Sequence, residues 1–171
     1  MSESKKADPA LIEAIMGCDA DAVEELVGTD PASINYVDED GDPMVTMAVR
    51  SGNIAALKIV LLHGPDLIRF NTDDHTALDY AFEQRDMEMV RLLGEEGGEP
   101  TDDAVYLGNL LVGFIREEET DLIEELFYYE IDPRVDLGHG RTAMHAAMET
   151  GREEVVKRMI EQTRHLDSWG K

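Results

Sequence analysis

The chain has 171 residues, 43% hydrophobic and 31% charged, which is enough apolar material for one compact domain burying roughly 70% of its unfolded surface. A formal net charge of -23, from 38 acids against 15 bases, repels nucleic-acid phosphate and anionic lipid and so argues against direct binding to DNA, RNA or a membrane surface. A single cysteine, Cys18, excludes an internal disulfide, and charges interrupt every early apolar run in MSESKKADPALIEAIMGCDAD, so neither a signal peptide nor a membrane span is supported and a cytoplasmic protein is expected.

Residues 1–7 read as a flexible N-terminal arm. From Pro9, PALIEAIMGCDADAVEELVG carries two short helical patterns, with Cys18 expected as a small hydrophobe in a helix interface. The same two-helix pattern returns in PMVTMAVRSGNIAALKIVLLHG from Pro43 and in TALDYAFEQRDMEMVRLLGEEG from Thr76. It returns again in NLLVGFIREEETDLIEELFYYE from Asn109 and in TAMHAAMETGREEVVKRMIE from Thr142. The anchors are 34, 33, 33 and 33 residues apart, a fixed period that marks a repeat architecture. The fourth unit has Leu107 where the turn needs glycine, so a longer first helix is expected to replace its turn. In the last unit Val155, Val156, Met159 and Ile160 form one apolar stripe, and Glu153 with Lys157 and Glu154 with Arg158 are spaced for ion pairs along the helix. Those pairs account for the local charge balance of a segment in an acidic chain. HLDSWGK closes the sequence, with Trp169 expected to dock on the last helix pair and residues 168–171 forming a tail.

These units resemble the ankyrin-repeat family, whose repeat of about 33 residues is a β-turn followed by two antiparallel helices. Asp38, Gly41 and Pro43 in DEDGDPMVT match the family's turn, and Gly140, Thr142 and His145 in GRTAMH match it more closely; GNIAALKIVL and GREEVVKRMI match its second helix. The likeness covers roughly residues 8 to 165. The usual proline after threonine is replaced by Met44, Ala77, Leu110 and Ala143, and the usual histidine survives only as His145, with Thr46, Asp79 and Val112 in its other places. The resemblance implies an all-α, ankyrin-type solenoid: a single domain over 8–167, with units of about 8–37, 38–71, 72–104, 105–137 and 138–167 joined by short β-turns. Another helical-hairpin solenoid is the rival reading.

Candidate chemistry is sparse. DEDGDP invites a calcium loop, but the first ligand slot falls on Tyr36 and the twelfth on Met47, so a solvated β-turn is the better account. GEEGGEP lacks a following lysine, and Glu95, Glu96 and Glu99 would oppose phosphate. No nucleophile elbow or His-Glu-x-x-His is present, and His139 and His145 are poorly spaced for one helix face; His145 is expected to tie its turn to the next repeat's backbone. Seven methionines, Met44, Met47, Met87, Met89, Met144, Met148 and Met159, fall mostly on periodic positions expected to fill the core. No enzyme activity, cofactor or metal is expected.

By resemblance, binding uses the turn tips and the concave positions of the first helices. The matching positions are Glu39, Asp40, Asp42, Arg50 and Ser51 in the second unit, and Thr72, Asp73, Asp74, His75, Glu83 and Gln84 in the third. Arg116 and Glu117 follow in the fourth, and His139, Arg141, Glu149 and Thr150 in the last. Charge is uneven: residues 72–104 hold 11 acids and two bases, 105–137 nine and two, and 138–171 five and six. An acidic centre of this kind favours a basic protein partner. The expected function is therefore a non-enzymatic protein-interaction module, an inhibitor, immunity or anti-defence factor, acting as a monomer. Two alternatives stay open: a nucleic-acid mimic that blocks a DNA- or RNA-binding protein, and a scaffold whose acidity is solvent adaptation.

Overall fold

The computed structural model describes residues 5–169; residues 1–4, Gly170, Lys171 and the Trp169 side chain, with the docking expected of it, lie outside the described residues. Among the described residues ten α-helices follow one another: α1 (Pro9–Met16), α2 (Ala20–Thr29), α3 (Met44–Arg50), α4 (Ile54–Leu61), α5 (Ala77–Gln84), α6 (Met87–Glu95), α7 (Ala104–Glu117), α8 (Thr120–Tyr128), α9 (Ala143–Thr150) and α10 (Glu153–Trp169). They form five hairpins, each made of a first and a second helix, as an all-α ankyrin-type solenoid requires. The starts are fixed chemically. Asp8, Asp19, Asn53, Asp86, Asp103 and Thr142 each accept a hydrogen bond from a backbone N–H of the first turn, and such caps contribute about 1 kcal/mol each. Several first helices end in the left-handed region, at Arg85, Glu118 and Gly151, which turns the chain straight into the next helix.

The chain forms two compact units, one ending at Thr101 and one beginning at Asp102. In the first, α3 packs between α1 and α5, and each first helix packs on its own second helix. Its core is built from Leu11, Ile15, Val49, Leu57, Phe82 and Leu93, all buried. In the second unit α7 packs on α8 and α9, and α9 on α10, around Leu111, Phe114, Ile123, Leu126 and Ala147. The helix α7, at 14 residues, is the long first helix expected where the turn lacks glycine.

Two turns of the first compact unit project as short fingers, residues 37–43 and 70–76. Asp38 N–H donates to Asp42 O at 3.0 Å, and 33 residues later Asn71 N–H donates to His75 O at 2.9 Å, so both fingers close in one register. Gly41 has φ +92°, and a Cβ there would lie 2.7 Å from Thr72 Cγ2, so glycine is required by both backbone and neighbour. Part of the expected arm is pinned. Ala7 N–H donates to Val37 O at 2.7 Å, Val37 N–H donates to Lys5 O at 3.0 Å, and Lys6 Nζ reaches Asp38 O and Glu39 O at 2.6 and 2.9 Å. Lys5–Ala7 thus add one edge to the first finger.

Four local expectations change. Cys18 lies in the turn after α1 at φ +56°, not within a helix interface, and its Sγ is 3.1 Å from Asn53 Nδ2. His145 bonds its own turn, Nδ1 to Thr142 Oγ1 at 2.9 Å, the hydroxyl that also accepts from the His145 backbone N–H. Arg158 pairs with Glu124 and Glu161 instead of Glu154, and Lys157 has no ion-pair partner among the described residues. Met148 is exposed, although Met44, Met89 and Met159 are buried as expected.

Candidate protein-binding surface

Three of the residues singled out on the second and third repeats, Asp42, Arg50 and His75, meet in one polar network beneath the two fingers. Asp42 is buried and forms an ion pair with Arg50, eight residues on at the end of α3. Asn71, also buried, donates from Nδ2 to Asp42 Oδ1 and to Tyr80 Oη, both at 2.8 Å. The Arg50 guanidinium lies over the Tyr80 ring at 5.3 Å, and His75 meets the same ring edge-on at 5.6 Å. Asn71 Oδ1 accepts from the N–H groups of Asp73 and His75 at 3.0 and 3.1 Å and so holds the second finger's loop. The Asp42 carboxylate raises the Arg50 pKa, and burial raises that of Tyr80. Arg50 therefore stays charged and Tyr80 protonated at any physiological pH.

Above this base, Glu39 and Asp40 are exposed at the first tip and Thr72, Asp73 and Asp74 at the second. Asp38 Oδ1 accepts from Asp40 and Asp42 N–H at 3.0 and 2.9 Å, so the acids of DEDGDP build the turn. Among the described residues no group of three His, Cys, Asp or Glu could hold a metal ion. Glu83 and Gln84 are exposed at the end of α5, where Gln84 Nε2 donates to Val49 O at 2.9 Å. Ser51 and Thr150 close helix ends, their hydroxyls donating to Ala48 O at 2.7 Å and Ala147 O at 2.6 Å. In the second compact unit Arg116 and Glu117 are exposed at the end of α7, and His139 sits at φ +57° in the turn that Leu137 N–H closes by donating to Arg141 O at 2.8 Å. Arg141 clamps Glu149 with two bonds of 3.0 Å.

The sequence reading missed Asn71 and Tyr80, the two side chains that join Asp42 to the second finger. A signal existed. Asp42 with Arg50 and Arg141 with Glu149 are the same pair of positions 99 residues apart with the charges exchanged, which marks these sites as facing each other. Asn71 likewise falls 33 residues after Asp38 and repeats its turn-holding role.

Helix hairpins joined by capped turns and polar fingers define a repeat protein of the kind that presents a surface rather than encloses a site. Ankyrin-repeat family models match residues 11–104 as three copies and 139–167 as a further one, and the chain belongs to that family. The unmatched stretch is the one in which α7 replaces a finger. The mouse B-cell lymphoma 3 protein homolog is 28% identical over 155 residues, 85% of this chain but 34% of that protein, so the chain spans about a third of its length. The human ASB11 ankyrin repeat domain superposes with a TM-score of 0.62 at 20% identity, covering 90% of this chain and 68% of that one.

Proposed function

We propose that this chain is a non-enzymatic binding module that captures a basic protein on the acidic fingers and first-helix ends of its second and third repeats, and blocks it as an inhibitor, immunity or anti-defence factor. Ankyrin repeats mediate protein–protein interaction, and that general role follows from the family. The observation that supports the finer reading is the Asp42–Asn71–Tyr80 network, buried at Asp42 and Asn71: it ties the two fingers together under Glu39, Asp40, Asp73 and Asp74, so that their carboxylates stand on one hydrogen-bonded base. Preordering of this kind lowers the entropic cost of association, and complementary charge speeds encounter.

The test is a variant carrying Asp73→Lys, Asp74→Lys and Glu83→Lys, compared with the natural chain for proteins captured from a host lysate at low and high salt. All three residues are exposed, so the variant is expected to fold, as its helical circular dichroism and a cooperative melt would show. Capture of a basic protein, lost in the variant and in high salt, supports the reading, and displacement of that protein by DNA would mark a nucleic-acid mimic. Equal capture by both chains would rule out the acidic fingers as the site.

A further inference from the structure

The two end repeats each carry an apolar position that the other repeats bury. Met148 stands where the preceding repeats have Ile15, Val49, Phe82 and Ile115; all four are buried, whereas Met148 is 62% exposed. Val156 is half-buried where Val23, Leu57, Val90 and Ile123 are buried, and Ile160 is 39% exposed. With Gly151 and Lys157 these side chains line an open groove of about 530 Å³ on the last repeat. On the first repeat Leu26 is half-buried, while its counterparts Val60, Leu93, Leu126 and Met159 have no exposed surface. A repeat that closes a stack ordinarily shows solvent a polar face.

We propose that a second copy of this chain docks its first repeat on this groove, joining copies head to tail in the register that the repeats use internally. Two internal joints supply that register. In the first compact unit Lys58 of α4 pairs with Glu88 of α6 at 2.8 Å, and in the second Glu124 of α8 pairs with Arg158 of α10. Lys58 and Glu124 both stand five residues after the one that precedes their helix, Asn53 and Glu119. Glu88 stands two residues after Asp86, and Arg158 six after Arg152. The fifth position of one second helix therefore faces the second and sixth of the next. Lys157 holds the fifth position in α10, while Asp21 and Glu25 hold the second and sixth in α2. All three are exposed, so the joint between copies sets one unpaired cation between two acids, over an apolar floor. The two faces differ, so two copies joined by one contact leave one face of each kind uncovered, and assemblies grow with concentration as open chains or closed rings. The monomer expected from the sequence is the dilute end of this equilibrium. The contact uses neither finger nor acidic tip and is independent of partner capture.

Sedimentation of the full chain from about 1 µM to about 1 mM tests it across the range where weak contacts form. The weight-average mass is expected to climb above 19.1 kDa as concentration rises. Lys157→Glu, and separately Asp21→Lys with Glu25→Lys, are expected to raise the concentration needed by about tenfold or more, and a chain carrying all three changes to regain most of the loss. Ile160→Asp removes apolar contact and abolishes the rise, with helical circular dichroism unchanged. A mass constant at that of one chain throughout, or a triple variant no better than its components, overturns the proposal.

Discussion

Asp79 has no exposed surface, yet its carboxylate is surrounded by donors: Thr76 N–H at 2.7 Å, the Thr76 hydroxyl at 3.1 Å and Thr101 N–H at 3.0 Å. It completes a capping box on α5 and ties the third repeat to the segment before α7, the tie expected of the family's histidine. Burial raises its pKa above 3.8, against the pull of the Thr76 and Thr101 donors. The folded state thus holds the proton to higher pH than the unfolded chain, and stability falls as pH rises from 3.8 through the folded value. Asp79→Asn removes that titration. The stability of the natural chain relative to this variant is expected to decline over the same window and then level off, as read from urea melts at stepped pH; a difference that grows with pH would show the carboxylate favoured when charged. The repeat places the same position at 46, where the Thr46 hydroxyl is buried and has no hydrogen-bond partner, and at 145, where the side chain is exposed. One repeat position therefore has three fates, and the sequence pattern alone cannot distinguish them.

Elements were more legible than side-chain partners. The short helices come from apolar residues at helical spacing, and their starts from Asp, Asn or Thr at the caps, all local signals. The extension of α7 is legible for the same reason, because Leu107 cannot serve a glycine turn and instead lies buried in the helix. Pairing across hairpins was not legible: Arg158 finds Glu124, 34 residues away, in preference to the neighbour four residues back. The helix α9 tests the packing directly. Ala147 has no exposed surface and α9 packs on both α7 and α10, so Ala147→Glu forces a charge into a close helix contact. A loss of about 3 kcal/mol or more is expected, with loosening of the last repeat first. An unshifted thermal midpoint would show that α9 does not carry this contact.

At the scale of the whole molecule, a net charge of -23 must be held in a folded volume, and its self-repulsion opposes compaction. The bases are spent partly on ties between repeats, as in Lys58–Glu88, Arg152–Glu118 and Arg158–Glu124. Such exposed pairs are individually weak, so screening is expected to relieve more repulsion than it removes attraction. The thermal midpoint should therefore rise between about 20 mM and about 500 mM salt. A falling midpoint would mean that the ion pairs outweigh the repulsion.

The amino-acid sequence by itself determined the repeat, its helices, its acidity and the family, because each depends on short-range spacing or on composition and survives without knowledge of contacts. Tertiary structure alone decided that Asp42 turns inward to Arg50 and Asn71, that Asp79 does a histidine's work, and that Met148 and Ile160 face solvent. Those outcomes depend on which residues the folded repeats bring together, and burial and pairing are set by that neighbour rather than by the side chain's own type.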